Sequence, residues 1–102
     1  MEKLIRDGKV AVIISPGWGS GWYSWHGIPE LLYDPKVVEM VLNEEDLENI
    51  LKYCHEKYGD DNYFSPDELE VVWIQEGTKF MVHEYDGSES IRYEQEMRWL
   101  TA

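Results

Sequence analysis

A segment rich in glycine and tryptophan is the part of this sequence best suited to binding chemistry. Residues 16–27 hold four glycines and three tryptophans. Glycines let a backbone approach a ligand closely and present N–H groups in concave nests, and aromatic faces stack on nucleobases. The segment, called the aromatic loop below, therefore predicts a nucleotide-binding site. Its candidate residues are Trp18, Gly19, Ser20, Gly21, Trp22, Tyr23 and Trp25.

A phosphate bound at the aromatic loop would need positive charge nearby. Arg6 and Arg92 are the candidate cations, with Lys9 as a further one, although such residues are more often solvated surface charges. The glycine spacing departs from G-x-G-x-x-G, and no Gly-Lys-Ser or Gly-Lys-Thr occurs. An alternative is that the tryptophans pack in the core or at a subunit interface while the glycines only turn the chain.

The sequence gives little support for catalysis. His26, His55 and His83 show no zinc-site spacing. Cys54 lies in an apolar helical stripe, where inert packing is favoured over a role as nucleophile. We therefore expect a protein with no catalytic residues, no bound metal and no cofactor.

Residues 84–89 admit two interpretations. Asp86-Gly87 is the strongest hairpin signal in the sequence, which predicts a turn with an exposed acidic rim. Alternatively, the carboxylate of Glu84, Asp86 or Glu89 accepts hydrogen bonds from the N–H groups of a base. The spacing is compatible with both.

Length and composition exclude several classes of protein. The chain has 102 residues, 43% of them hydrophobic, with five Trp, seven Tyr and two Phe, which predicts one folded domain over residues 1–102 rather than a disordered chain. Its small size favours self-association. The formal charge of −12 argues against binding a nucleic-acid polymer or an anionic membrane. No apolar run is long enough to span a bilayer, and one cysteine fits a reducing cytoplasm.

The negative charge is concentrated in the middle of the chain. Residues 37–76 hold twelve acidic and two basic side chains, whereas residues 1–36 hold four of each. The aromatic loop belongs to this neutral segment. The acidity therefore does not argue against one small nucleotide bound there.

The elements that would position the loop follow from periodicity and capping signals. Glycines and a proline argue against a regular helix within the loop itself. Helices are predicted over about 35–42, capped by Asp34, and from a cap at Asn43 to a stop at Gly59. Together the elements predict an α+β domain, a small antiparallel sheet with two helices packed on one face. Strands are predicted at 9–15, 69–75, 79–85 and 88–93, with hairpins around 76–78 and at Asp86-Gly87, and residues 97–100 fit a further strand or a docked tail.

Three segments are similar to a widespread family of small bacteriophage proteins. They are residues 4–12, residues 15–25, which include most of the aromatic loop, and residues 84–89, and the similarity extends over nearly the whole chain. The family is identified with anti-CBASS sponges, which sequester cyclic dinucleotide signals such as 3′,3′-cyclic GMP-AMP and assemble as tetramers. The resemblance implies a non-catalytic immune-evasion protein that binds a cyclic dinucleotide as a homotetramer in the host bacterial cytoplasm. It transfers no binding residue, so the candidate residues rest on the chemistry of the loop.

A different class of function follows from the acidity. Spaced carboxylates can imitate DNA and block a host nuclease or defence protein that normally grips phosphates. The simpler interpretation is that these carboxylates keep the protein soluble, and a structural adaptor with no ligand is a third possibility. The carboxylates of the mimic would be Glu44, Glu45, Asp46, Glu48, Asp60, Asp61, Asp67, Glu68 and Glu70.

Overall fold

Five strands and four helices form the described part of the computed structural model, which comprises residues 1–17, 21–59 and 68–94. All strand pairs among them are antiparallel, which confirms the predicted α+β class. The predicted element at 97–100 lies outside the described residues. In chain order the elements are β1 (Ile5–Arg6), β2 (Lys9–Ile14), α1 (Tyr23–His26), α2 (Pro29–Tyr33), α3 (Pro35–Leu42), α4 (Leu47–Tyr58), β3 (Glu70–Gln75), β4 (Phe80–Tyr85) and β5 (Ser88–Tyr93).

The centre of the fold is β2, which pairs with β1 on one side and β3 on the other. Its alternating side chains divide the core into two clusters, because successive residues of a strand point to opposite faces. Ala11 and Ile13 pack with buried residues of α3 and α4. Val12 and Ile14 pack with the inner side of β4 and β5. The predicted placement of two helices on one face of the sheet is confirmed, and the β4–β5 hairpin covers the other face.

The prediction of a hairpin around residues 76–78 is wrong. Among the described residues β3 pairs with β2, whereas β4 pairs with β5 in a second sheet. The turn after β3 is tied instead to the β1–β2 turn, since the Glu76 N–H donates to the Gly8 carbonyl at 2.9 Å. Phe80 and Val82 alternate with exposed residues and pack onto the sheet face. Strand β4 therefore packs against the face of the β1–β2–β3 sheet instead of pairing with the edge of β3.

Two Asp-Gly pairs make the tight turns of the fold. Asp86 and Gly87 have φ angles of 52° and 87°, which confirms the predicted hairpin, because type I′ turns need positive φ at both central residues. Asp7 and Gly8 have φ angles of 52° and 75° and join β1 to β2 in the same way. Strand β1 was not predicted because two residues are too few to show alternation.

Helix α3 has the predicted bounds and the predicted cap. The Asp34 carboxylate accepts hydrogen bonds from the backbone N–H groups of Lys36 at 2.9 Å and Val37 at 3.3 Å. This satisfies two of the donors that every helix leaves open at its first turn.

Helix α4 ends before Gly59 as predicted, but its predicted start at Asn43 is wrong. The N–H of Asn43 donates to the Glu39 carbonyl at 2.9 Å, so Asn43 closes α3 instead of opening α4. Glu44 then adopts a positive φ of 54°, and α4 begins at Leu47.

The Asp34 carboxylate also ties the start of α3 to the end of α4. It is 2% exposed and accepts hydrogen bonds from the hydroxyls of Tyr58 at 2.6 Å and Tyr53 at 2.9 Å. The Lys57 ammonium donates a third hydrogen bond at 3.1 Å. Burial acts to raise the pKa of Asp34, but these three hydrogen bonds and the Lys57 charge outweigh it and lower the pKa below the ordinary 3.8.

This pKa shift gives a pH-dependent contribution to stability. Because the pKa of Asp34 is lower in the folded protein than in the unfolded chain, its contribution is fully present above the unfolded pKa of 3.8 and is lost as the pH falls through the folded value. We expect the difference in unfolding free energy between the native chain and Asp34→Asn to shrink below pH 4. Urea titrations at several pH values between 3 and 7 measure it. A difference that stays constant with pH would contradict the assignment.

Candidate functional site

The aromatic loop contains one helical turn, α1, contrary to the expectation that its glycines exclude helix. The turn fits between two glycines and ends at Gly27, whose φ is 64° and whose N–H donates to the Tyr23 carbonyl at 2.9 Å. A left-handed glycine is a common helix terminator. Of the candidate binding residues, Trp18, Gly19 and Ser20 lie outside the described residues.

The carboxylate of Glu89 holds the aromatic loop on the hairpin. Glu89 is 1% exposed, and its Oε1 accepts from the Ser15 N–H at 2.9 Å. Its Oε2 accepts from the Trp22 N–H at 3.0 Å and from the N–H and hydroxyl of Ser24 at 2.8 and 2.6 Å. Backbone N–H groups of Ser15, Trp22 and Ser24 thus surround an anion, and that anion is the chain's own carboxylate. Glu89 is therefore not available to accept hydrogen bonds from a base.

His26 lies in the field of this buried carboxylate. Burial lowers the pKa of His26 below its ordinary 6.5, although the charge of Glu89 acts in the opposite direction. The imidazole is therefore mostly neutral at pH 7.

Trp22 lies in the core. Its side chain is fully buried in the core cluster that β2 forms with α3 and α4, and its indole N–H donates to the Leu31 carbonyl at 2.9 Å. The structure therefore leaves no face of this ring for stacking on a base, and the packing alternative applies to Trp22. Gly21 is also buried, and Tyr23 is half-buried.

Trp25, in contrast, is exposed and fixed. Its side chain is 55% exposed, and its indole N–H donates to Glu84 Oε2 at 3.0 Å. The same oxygen accepts the Gly87 N–H at 3.0 Å. The hydrogen bond from Trp25, then that from Gly87, then the charge of His83 lower the pKa of Glu84, so this acceptor is ionised at neutral pH.

Gly21 is required by the position of Trp25. A Cβ at residue 21 would lie 2.5 Å from Trp25 Cδ1 and 2.6 Å from Ser24 Oγ, which is closer than van der Waals contact allows. We expect Gly21→Ala to displace the indole, break its hydrogen bond to Glu84 and lower the free energy of unfolding by roughly 1–3 kcal/mol. The NMR signal of the Trp25 indole N–H and a urea titration measure both effects.

Gly27→Ala is the matched control for this substitution. Gly27 has a positive φ of 64° but open space around the added Cβ, so alanine strains the backbone without touching Trp25. The Trp25 indole signal should move in Gly21→Ala and stay in Gly27→Ala. Equal shifts in both variants would show that the close contact does not position the ring.

The predicted cations lie on strands outside the aromatic loop. Arg6 pairs with Lys9 at the first residue of β2, whereas the loop follows the last residue of that strand, roughly 17 Å further along. Arg92 is exposed on β5 opposite Met81, three residues and roughly 10 Å along the strand from Glu89. Arg6 is therefore not brought to the aromatic loop.

The other candidate reactive groups are not assembled into a centre in the described part of the chain. No group of three or more His, Cys, Asp or Glu side chains there is placed to hold a metal ion. The Cys54 thiol is buried, and burial, reinforced by the Asp34 charge, raises its pKa to about 12, which keeps it protonated. In the same residues no helix has the length and apolar character needed to cross a membrane.

The role of Glu89 was missed, although the sequence carries a signal for it. Glu89, Ile91 and Tyr93 alternate along β5, so all three point to the face that packs on the sheet. A carboxylate at an inward position must find donors, because an unpaired buried charge is strongly unfavourable. The sequence did not reveal that Ser15, Trp22 and Ser24 supply them.

Comparison of the chain with protein-family models, curated proteins and solved structures gives no match. The geometry of the aromatic loop and the hairpin is accordingly the basis for assigning a function.

Proposed function

We propose that this chain binds and sequesters a cyclic nucleotide defence signal, such as 3′,3′-cyclic GMP-AMP, without catalysis. In this role it is a phage immune-evasion protein that acts in the host bacterial cytoplasm. The observation that carries the proposal is the indole of Trp25, which is 55% exposed and yet held by a hydrogen bond to Glu84.

A fixed, exposed indole is well suited to stacking. Stacking of one base on an aromatic side chain contributes about 1–3 kcal/mol. A ring that is already held in place loses little conformational freedom when the ligand binds, which favours affinity. The hydrogen bond from Trp25 Nε1 to Glu84 uses the edge of the indole and leaves its face for a base.

Glu84 adds a hydrogen-bonding group beside the stacking face. Both of its hydrogen bonds are accepted by Oε2, and none of the described residues donates to Oε1. The N–H groups on a base edge are donors of the kind that a carboxylate accepts. Of the three carboxylates considered for base recognition, Glu84 is therefore the one that the structure places at an exposed aromatic ring with an oxygen that the described residues leave free.

Tight sequestration needs more enclosure than one ring gives. Small-molecule sites bury most of the ligand surface, and a chain of 102 residues offers little depth. The proposal therefore includes a homotetramer, as the family resemblance implies, in which a second protomer covers the base stacked on Trp25.

Calorimetric titration with a panel of cyclic di- and trinucleotides tests the proposal. At least one member should bind the native chain, and Trp25→Ala should weaken binding by roughly tenfold or more, since it removes a stacking contact of about 1–3 kcal/mol. Trp25→Phe retains an aromatic face and should bind with intermediate affinity. Absence of binding across the panel would refute the proposal.

Two controls accompany the titration. Leu42→Ala removes an exposed apolar side chain from α3 and should leave affinity unchanged. Chromatography of the ligand after incubation should recover it intact, because sequestration needs no turnover. A hydrolysed ligand would show that the protein is an enzyme instead.

A second candidate function, the acidic DNA mimic, keeps one supporting observation. Glu44, Glu45 and Glu68 line a surface cavity together with apolar side chains of Leu47 and Leu69. Charged groups around an apolar centre are typical of protein-binding surfaces. If the chain is a DNA mimic, replacing these three carboxylates with Gln should abolish its inhibition of the host nuclease or defence protein. Cyclic-nucleotide binding should stay unchanged.

A further inference from the structure

Two cations lie opposite each other at the end of the sheet away from the aromatic loop. Arg6 on β1 pairs with Lys9 on β2, and Trp73 on β3 pairs with Ala11. Paired residues share a face, as do residues two apart along a strand. Arg6, Lys9 and Trp73 therefore belong to the same face of the sheet.

The aromatic ring positions one of these cations. The Arg6 guanidinium carbon lies 5.7 Å from the centroid of the Trp73 ring, within the range of a cation–π contact. Arg6, Lys9 and Trp73 line one surface cavity of about 270 Å³ together with Asp7. The contact restricts the guanidinium while its N–H groups remain available, because the exposed Arg6 makes no salt bridge with the described residues.

This arrangement is electrostatically unfavourable as it stands. Like charges directly opposite each other weaken strand pairing, and Lys9 also lacks a salt bridge within the described residues. The Asp7 carboxylate is the one acidic group among the residues that line the cavity, so the lining keeps a net positive charge within a chain of formal charge −12. A bound anion would remove the repulsion between the two cations.

We infer that the cavity formed by Arg6, Lys9 and Trp73 binds a phosphate group. A guanidinium donates two parallel N–H groups to phosphate oxygens, and an ammonium adds a point charge. Trp73 acts by holding the guanidinium in place. The site is separate from Trp25 by the length of β2 and does not depend on the proposed cyclic-nucleotide function.

NMR titration of the ¹⁵N-labelled full chain at constant ionic strength tests this inference. Inorganic phosphate should produce saturable shifts in the amides of residues 5–9 and in the Trp73 indole N–H, whereas chloride should not. Adenosine monophosphate and adenosine form two further arms. Tighter binding of the monophosphate than of inorganic phosphate, with no binding of adenosine, identifies a phosphomonoester as the ligand, and equal binding of the two phosphates identifies free phosphate.

Substitutions of exposed residues provide the controls. Arg6→Gln and Lys9→Gln should each weaken phosphate binding by about tenfold. Lys52→Gln, on the exposed side of α4, should not change it. Trp25→Ala should also retain phosphate binding, so failure of either site is distinguishable from failure of the other. Linear shifts without saturation, or saturable shifts that persist in both Arg6→Gln and Lys9→Gln, would overturn the inference.

Discussion

Glu89→Ala is expected to lower the free energy of unfolding by about 4 kcal/mol. The substitution removes the acceptor of four hydrogen bonds, from Ser15, Trp22 and both donors of Ser24. The Ser15 and Trp22 N–H groups lie in the buried interior, and a buried donor that loses its acceptor carries a desolvation penalty. Since a small domain is stable by only about 5–15 kcal/mol, the loss is a large fraction of the total. Urea denaturation followed by tryptophan fluorescence measures it.

Two comparisons isolate the role of the carboxylate. Alanine at position 89 deletes the atoms of an acetate ion, so added acetate should stabilise Glu89→Ala more than chloride does at equal ionic strength and leave the native chain unaffected. Glu89→Gln keeps one oxygen and should be destabilised less. Glu30 is an exposed carboxylate on α2, and Glu30→Ala should change the free energy of unfolding by less than about 0.5 kcal/mol. A Glu89→Ala protein as stable as Glu30→Ala would disprove the role of Glu89 in holding the loop.

Asp34→Ala is expected to lower the free energy of unfolding by about 3 kcal/mol. It removes the cap of α3 and the shared acceptor for Tyr53, Tyr58 and Lys57. Calorimetric and urea unfolding measure the change.

Asparagine at the same position separates the two contributions. Asparagine is as good a helix cap as aspartate, so Asp34→Asn should retain the cap and lose the charge-assisted hydrogen bonds. Its stability should lie between those of the native chain and Asp34→Ala. Lys57 is half-exposed, and Lys57→Gln should therefore change stability by no more than about 1 kcal/mol. If Asp34→Asn were as unstable as Asp34→Ala, the helix cap would contribute nothing, and the whole loss would come from the buried charge.

The features that the sequence predicted correctly depend on residues close together in the chain. Asp34-Pro35 starts α3, Gly59 ends α4, and Asp86-Gly87 turns the β4–β5 hairpin. Each signal lies within a few residues of the structure that it specifies. The start of α4 was wrong for the same local reason, because Asn43 can either open a helix or close one and its hydrogen bond to Glu39 closes α3.

The features that the sequence did not predict depend on distant residues. The bonds from Ser15, Trp22 and Ser24 to Glu89 join residues 65 to 74 positions apart. Propensity and periodicity carry no information about which partner a strand or carboxylate selects over such separations. The division of the tryptophans between core and surface was open in the sequence for that reason, and the structure buries Trp22 while it exposes Trp25.

The central position of β2 has a consequence for synthesis of the chain. Its partner β3 lies 56 to 66 residues further on, whereas the ribosome adds roughly 5–20 residues per second. The apolar residues 10–14 therefore leave the ribosome several seconds before the strand that pairs with them. Closure of so long a loop must precede the native contacts, which makes this pairing slow relative to the local hairpins. During that interval the same run is exposed to aggregation and to capture by a chaperone.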